Sequence, residues 1–323
     1  METRWILTVA ALAALASTGS ALAQNFPERP IMLVNPYAAG GPADLLARTV
    51  AASMTETLGQ PVVVENKAGA GTAIGARFVA KAKPDGYTLF IGGSPSHVIA
   101  PALVKDAGFD GIKDFATVAM VASVPNVLVV PASKPSKSVK DLVAAAKAAN
   151  GSMTFASVGV GSLPQFLGLL LQQRADVKLT HVPYGGAAPA VVDLLAGNVD
   201  MAFLNIAPVL AHVKDGKLRA LAVANDRRAE RLPDVPTMEE VGFKGIEMST
   251  WYGISAPAGT PRPVIDKLHT AIASALKSES VKEKLTSQGA EILLKSPDEF
   301  EAFLKADAER MLGLIKVAGM KAN

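Results

Sequence analysis

Cysteine is absent from this 323-residue sequence. Without cysteine the chain cannot form disulfides, which excludes the small, disulfide-stapled scaffolds that are common among exported proteins. Half of the residues are hydrophobic, and this share supplies enough apolar surface for two domains of ordinary size. We therefore expect a sizeable protein that is held together by conventional hydrophobic cores.

The chain also lacks a strong charge of either sign. Its formal net charge is +3, and no block of basic residues occurs. Such a slight excess does not favour nucleic acid or an anionic membrane as a partner. Histidine is sparse too, and the four residues are scattered without the spacing of a metal site: His97, His181, His212 and His269. We predict no bound metal.

A long apolar run occurs only near the start of the chain. The run Trp5 to Ala16 follows a short charged start and precedes Ser20-Ala21-Leu22-Ala23, which is typical of a cleavable secretory signal peptide over residues 1–23. A membrane anchor is the alternative, but the run is short for a bilayer span. Because no later segment offers about 18 uninterrupted apolar residues, we predict an exported, periplasmic protein that begins at Gln24 and does not span the membrane.

Short apolar runs alternate with helical patterns along most of the chain. Strands are predicted at 31–35, 62–65, 87–92, 127–131, 153–157, 179–183, 201–205 and 218–224, with helices between them. This alternation is typical of parallel sheets covered by helices, so the predicted fold class is α/β. Beyond Thr260 helices predominate, with one short strand near 292–294.

Two breaks in composition predict how the chain divides into domains. One lies near 123–126, and the other is the charged, proline-rich stretch 225–245, which is expected to carry one short helix. We predict a middle domain, 125–245, that is inserted into a first domain built from 24–124 and 246–323.

Three glycine-rich turns each follow a predicted strand and precede a predicted helix. The first N–H groups of a helix lack intrahelical partners and carry partial positive charge, and glycine lets a ligand approach the backbone. Ligands of open α/β sheets bind at the carboxyl ends of strands, so the turns predict a carboxylate or phosphate site in a cleft between domains. The turns are Tyr37-Ala38-Ala39-Gly40-Gly41, Ser157 to Ser162 with Gly159 and Gly161, and Tyr184-Gly185-Gly186.

Plainer interpretations of these turns stay open. Glycine between a strand and a helix is frequently turn chemistry only. Gln165 is then the acceptor of a capping box that begins at Ser162. Asp44 either complements the helix dipole or turns its carboxylate toward the cleft.

Other motifs give weaker signals. The stretch Gly69 to Gly75 misses the dinucleotide-binding spacing by one residue, so no cofactor is predicted. Ser94 lies in an incomplete nucleophile elbow, which makes a secreted serine hydrolase the rival hypothesis from another class. We expect His97 to be a hydrogen-bonding wall residue and His181 to be a strand residue with local partners.

Six segments occur in an order that resembles one known family: PYAAGGPADLLAR, VENKAGAGTAIGA, AKPDGYTLF, HVPYGGAAPAVVDLLAGNVD, LPDVPTMEEVGF and WYGISAPAGTP. Together they are similar to the extracytoplasmic solute receptors of tripartite tricarboxylate transporters, also called the Bug family. The resemblance implies a two-domain periplasmic-binding-protein fold of type II, a Venus flytrap that closes on a small organic acid. It also implies a monomer without catalytic residues or cofactor that delivers its ligand to integral membrane transporter subunits.

By the same resemblance, a ligand carboxylate is held by the turn Tyr37 to Gly41 and by the loop Ser157 to Ser162. The remaining pocket is implied to be lined by Asp44, Ser94, His97, Tyr184, Gly185 and Asn205.

The chain departs from the family where Gly185 replaces a commonly basic residue and where Gln165 and Ala100 replace commonly occurring histidine and asparagine. Because losing a cation removes a partner for a second carboxylate, we expect a monocarboxylate or an aromatic acid rather than a tricarboxylate. A receptor that feeds a sensing system instead of a transporter is the alternative among binding proteins.

Overall fold

Two β-sheets with helices on their faces make up the protein, which we describe from a computed structural model of residues 26–287, 289–317, 319 and 320. The predicted α/β class is confirmed. The predicted signal peptide and the start of the mature chain at Gln24 lie outside the described residues. Within those residues, no helix combines the length and the apolar character that crossing a membrane requires.

The first sheet combines strands from both ends of the chain. Its six strands are β1 (Ile31–Asn35), β2 (Val62–Asn66), β3 (Thr88–Gly92), β4 (Phe115–Val124), β10 (Thr250–Pro257) and β11 (Glu291–Lys295). Their spatial order is β11-β4-β10-β3-β1-β2. β1 is parallel to β2 and β3, whereas β10 is antiparallel to β3 and β4.

The second sheet is built from the middle of the chain. Its strands are β5 (Asn126–Pro131), β6 (Thr154–Ser157), β7 (Thr180–Pro183), β8 (Met201–Asn205) and β9 (Leu218–Ala224), in the order β7-β6-β8-β5-β9. β6 is parallel to β7 and β8, and β5 is antiparallel to β8 and β9. The carboxyl ends of β6 and β7 therefore lie side by side.

Within the described residues, ten α-helices flank the sheets: α1 (Pro42–Leu58), α2 (Ala73–Ala80), α3 (Ala100–Leu103), α4 (Val139–Ala149), α5 (Leu163–Ala175), α6 (Ala187–Ala196), α7 (Ile206–Lys214), α8 (Arg262–Lys277), α9 (Glu279–Ser287) and α10 (Pro297–Val317). The first core places the apolar faces of α1 and α8 against the first sheet, for example Leu46 and Leu268. The second core places α5 against the second sheet through Phe166 and Leu167. Each sheet with its helices forms one lobe.

Local sequence signals explain several helix starts. Ser138 caps α4 by accepting the N–H of Asp141 at 3.1 Å. Ser296 and Glu299 form a reciprocal capping box at the start of α10. At the start of α5 the hydroxyl of Ser162 instead donates to the carbonyl of Gly159 at 2.6 Å, so the predicted capping role of this hydroxyl is wrong.

The chain crosses between the sheets twice. Pro125 alone connects β4 to β5, and residues 225–249 lead back from β9 to β10. These 25 residues, all of which the structure describes, form turns and one isolated bridge, Val223 with Thr237, so the predicted short helix is wrong. Ile246 and Met248 still pack in the second core. The domain limits at 124/125 and 245/246 stay a prediction.

Candidate functional site

The first glycine turn joins β1 to α1 and leaves backbone exposed. Pro42 opens the helix, where its missing N–H is not needed, and Gly41 precedes it in an extended conformation. Gly40 has a φ of +79°, which glycine adopts without strain. Ala38, Ala39 and Gly40 are exposed. The amino end of a 17-residue helix therefore faces solvent with little side chain in front of it.

The side chain of Asp44 accepts one of the backbone N–H groups of this turn. One carboxylate oxygen accepts the N–H of Gly40 at 3.0 Å and the guanidinium of Arg48 at 3.0 Å, and the other accepts the side-chain amide of Asn66 at 2.9 Å. Burial opposes ionisation, but the bonds from Arg48, Gly40 and Asn66 outweigh it and lower the pKa of Asp44 to about 2. The carboxylate of Asp44 is thus bonded within its own turn and helix, and whether it also contacts a ligand stays a prediction.

Tyr37 packs beneath the first turn. Its ring meets Tyr252 edge to face, with 6.1 Å between centroids. The hydroxyl is buried and has no hydrogen-bond partner among the residues that are described, and burial raises the pKa of Tyr37. A Cβ atom placed on Gly93 would lie 3.5 Å from this hydroxyl. The turn at the end of β3 therefore lies beside the first turn.

The second turn joins β6 to α5 and is also partly closed from within. Ser157 Oγ accepts the N–H of Gly159 at 3.2 Å, and Gln165 Oε1 accepts the N–H of Gly161 at 2.8 Å. Both glycines have positive φ, +133° and +78°. Among the described residues, no hydrogen bond is formed by the N–H groups of Val158, Val160 and Leu163 in this turn.

The third turn lies next to the second. The N–H of Tyr184 donates to the carbonyl of Ser157 at 3.0 Å, and a Cβ atom on Gly159 would lie 3.5 Å from the carbonyl oxygen of Tyr184. The Tyr184 hydroxyl donates to Asp193 at 2.6 Å, and burial together with this carboxylate raises the pKa of Tyr184 to about 12. Gly185 is exposed, with open space where a side chain would begin.

One segment of the first lobe connects the surroundings of the turns. It contains the π-helical turn Pro95–Ile99 and α3. It begins at Gly93, beside Tyr37, while a Cβ atom on Gly161 would lie 3.5 Å from Ile99. The side chain of Ile99 is part of the second core. The first turn therefore lies near the start of this segment, at Gly93, and the second turn lies near its middle, at Ile99.

Comparison with known proteins identifies the family. Residues 46–320 match the sequence model of TctC, the tripartite tricarboxylate transporter family receptor. The chain belongs to this family. It is 37% identical over 300 residues to Protein BugT of Bordetella pertussis (strain Tohama I), covering 93% of this chain and 92% of BugT. Members of the family are periplasmic solute-binding receptors, so this TctC protein is a receptor and not an enzyme.

Solved structures of TctC relatives share the two-lobed fold. The periplasmic binding protein BugD is 37% identical, with a TM-score of 0.83 over 92% of this chain and 100% of BugD. Rpa4515 of R. palustris, solved with adipate, is 34% identical, with a TM-score of 0.85 over 92% of this chain and all of that one. MatC of Rhodopseudomonas palustris, solved with bound malate, is also 34% identical, with a TM-score of 0.82 over 90% of this chain and all of MatC. The predicted periplasmic-binding-protein fold is confirmed.

Ser94 and His97 of this TctC receptor lie below the surface. Ser94 Oγ donates to Asp307 at 2.5 Å, and no histidine bonds to it within the described chain. His97 is 1% exposed, its Nδ1 lies 2.7 Å from the carbonyl of Gly111, and its ring stacks on Trp251. His97 thus has the expected hydrogen bond, and its ring is enclosed by other aromatic rings. Its place in the wall of a ligand pocket stays a prediction.

Asn205 lies where the chain crosses between lobes. Its side-chain amide donates to Thr250 Oγ1 at 3.2 Å and to Asn126 Oδ1 at 3.3 Å. Asn126 and Thr250 are the first residues of β5 and β10. Asn205 thus ties the two crossovers together, and its contact with a ligand stays a prediction.

Sequence reasoning missed the partners that complete these sites. Arg48 and Asn66 support Asp44, while Asp307 accepts the hydroxyl of Ser94 and also the indole N–H of Trp251. Only Arg48 had a sequence signal, its position four residues after Asp44 on one helix. The other three are distant in sequence from the residues they contact.

Proposed function

We propose that this TctC receptor binds a small organic carboxylate in the cleft between its lobes and delivers it to membrane subunits of a tripartite transporter. The observation that carries the proposal is the pair of glycine turns at the starts of α1 and α5, one from each lobe. Each turn exposes backbone at a helix amino end, where partial positive charge favours an anion. The relatives solved with adipate and malate support the carboxylate class.

The groups around the turns favour a ligand with one carboxylate, because the donors available to it are uncharged. The guanidinium of Arg48 is already paired with Asp44, and Gly185 offers no cation. The Tyr184 hydroxyl is likewise committed, because it donates to Asp193, so a second carboxylate would depend on water and on uncharged backbone donors. We therefore propose a monocarboxylate or an aromatic acid ahead of a tricarboxylate such as citrate.

The direct test is ligand-dependent stabilisation of the protein that begins at Gln24. Benzoate, adipate, malate and citrate are added in turn, and thermal melting and calorimetric heats are recorded. An acid at 100 times its dissociation constant should add about 2.7 kcal/mol to the free energy of unfolding. If no organic acid in a broad panel shifts melting or releases heat, carboxylate capture is refuted.

A substitution at the first turn tests where the acid binds. Gly41 has a φ of −81°, and a Cβ atom there would make an ordinary contact of 3.6 Å with the Ala38 carbonyl. Gly41→Val should therefore fold normally and, by covering the helix amino end, weaken binding at least tenfold, about 1.4 kcal/mol. Gly313→Val, in open space on α10, is the matched control. Unchanged affinity of Gly41→Val would mean that the first turn does not hold the ligand.

A further inference from the structure

Gln165 connects the second turn to His181. It is the third residue of α5 and is 8% exposed. Its Oε1 accepts the N–H of Gly161, while its Nε2 lies 3.3 Å from Nδ1 of His181. The other ring nitrogen of His181 lies 2.6 Å from Ser157 Oγ, which in turn accepts the N–H of Gly159. Both glycine amides of the turn are thus held by one connected network.

The donors and acceptors of this network fit only a neutral His181. The N–H of Gly161 can only donate, so the Gln165 oxygen faces it and the Gln165 amide nitrogen faces His181. Nδ1 of His181 must then accept, which leaves the ring proton on Nε2, directed at Ser157 Oγ. Burial lowers the pKa of His181 in agreement with this form. An imidazolium would put two donors face to face at Gln165.

Asp44 shows what a charged residue does at the equivalent position of the first turn. It is the third residue of α1 and accepts the N–H of Gly40, just as Gln165 accepts that of Gly161. Its negative charge is balanced by Arg48, four residues later. At the corresponding position after Gln165 stands Leu169, which carries no charge. The second turn therefore has the same closure without a carboxylate.

We propose that Gln165 is a specificity-determining residue of the second turn and that His181 is the residue that positions it. Gln165 closes the Gly161 amide without adding negative charge, so that the N–H groups of Val160 and Leu163 stay attractive to an anionic ligand. The inference rests on the proposed function. It adds that the second lobe places no carboxylate side chain of its own beside the ligand.

The groups around His181 make a pH readout interpretable. Phe155 and Ser157 face it from β6, and Gln165 faces it from α5. Two titratable residues lie on the neighbouring turn and helix, Tyr184 and Asp193. They are hydrogen-bonded to each other. Within the described residues no carboxylate bonds to His181. A glutamate at position 165 would be the first to face Nδ1, and it would favour the imidazolium.

The experiment compares Gln165→Glu with the wild type by calorimetry at pH 8.0 and pH 6.0. The probe is whichever of benzoate, adipate and malate binds the wild type most tightly. At pH 8.0 the glutamate carboxylate should still accept the N–H of Gly161, but its negative charge should repel the ligand and weaken binding at least tenfold. At pH 6.0 protonated His181 should neutralise it and restore most of the affinity. Gln165→Glu combined with His181→Asn should show no such recovery.

Gln172→Glu is the matched control. Gln172 lies on the same helix, and its Oε1 also accepts a backbone N–H, that of Leu179 at 2.9 Å. It should bind like the wild type at both pH values. Equal affinity of Gln165→Glu and the wild type at pH 8.0 would overturn the role of Gln165, and a loss that is the same at pH 6.0 would overturn that of His181.

Two further outcomes are distinguishable. If Gln165→Glu does not fold, Gln165→Met replaces it. This variant keeps the size, removes the amide and should weaken binding equally at both pH values, so wild-type affinity would overturn the proposal. If the wild type binds none of the acids, the proposed function is refuted, and the Gln165 proposal, which rests on it, falls with it.

Discussion

A single buried side chain, His97, links the stability of this receptor to pH. Burial lowers the pKa of His97 from its ordinary 6.5 to about 4, against the opposing influence of the Gly111 carbonyl and of Asp307. Its Nε2 is buried without a partner in the described part of the protein. The folded protein therefore keeps the imidazole neutral at a pH where the unfolded chain already binds a proton.

This difference predicts a loss of stability in mild acid. Above about pH 6.5 neither state protonates His97, and the stability is fully present. As the pH falls toward 4, the unfolded state gains the proton first, which removes up to about 3 kcal/mol. Urea unfolding of the wild type should show this slope, whereas His97→Asn, which keeps a donor near the Gly111 carbonyl, should show a flatter profile. Parallel profiles would contradict the assignment to His97.

At the scale of elements, α10 contributes to both lobes. Its first turns place Phe300 and Leu304 against Trp251, and its later turns place Met311 and Ile315 in the second core. Between these groups lies Asp307, which accepts hydrogen bonds from Ser94, Trp251 and Arg310. A domain limit drawn by sequence alone assigns α10 to the first domain and does not anticipate its share in the second core.

Removing the carboxylate of Asp307 should strongly destabilise the fold. Asp307→Ala leaves the Trp251 N–H, the Ser94 hydroxyl and the Arg310 guanidinium without their acceptor, and we expect a loss of about 3–5 kcal/mol. Asp307→Asn keeps one acceptor oxygen and should lose less. Glu301→Ala, which breaks only an exposed ion pair on the same helix, is the control. Equal midpoints of chemical denaturation for Asp307→Ala and Glu301→Ala would disprove this role.

Local patterns predicted most elements but not those whose form depends on distant contacts. Nine of the eleven strands in the described residues were predicted within a residue, and helices were expected between the strands from 139 to 214 where the structure has them, because apolar periodicity and helix caps are local signals. β4 and β10 were missed, although they form the longest strand pairing of the first sheet. Ser94 was weighed only as part of an incomplete nucleophile elbow, and no helix was predicted after it, whereas the structure has the π-helical turn Pro95–Ile99 and α3 there, packed against Trp251 and the second core.

The candidate site shows the same division. Positive φ at Gly40, Gly159 and Gly161 agrees with the glycine placement that predicted the turns. Closure of two of those amides by Asp44 and Gln165 depends on side-chain conformation, which the sequence pattern does not determine. The depth of His97 depends on Trp251, more than 150 positions later in the chain.

At the scale of the whole molecule, the lobes are joined by two crossovers and by α10. The crossovers meet at Asn126, Asn205 and Thr250, whose side chains bond to one another. Trp251 follows Thr250 directly and contacts α10. Rotation of one lobe against the other, as in hinge closure around a ligand, must therefore change the surroundings of Trp251.

Trp251 should report this closure by its fluorescence. The sequence has two tryptophans, Trp5 and Trp251, so a protein that begins at Gln24 contains Trp251 alone. Because its indole is 2% exposed and lies between His97 and Asp307, a small rotation should alter its emission. Titration with a binding acid should change the emission with the midpoint that calorimetry gives, and Gly41→Val should respond only at correspondingly higher concentration. If calorimetry detects binding but the emission of Trp251 stays constant, the prediction fails. The contacts of α10 and of both chain connections would then be unchanged, and the ligand would be captured without movement at the crossovers.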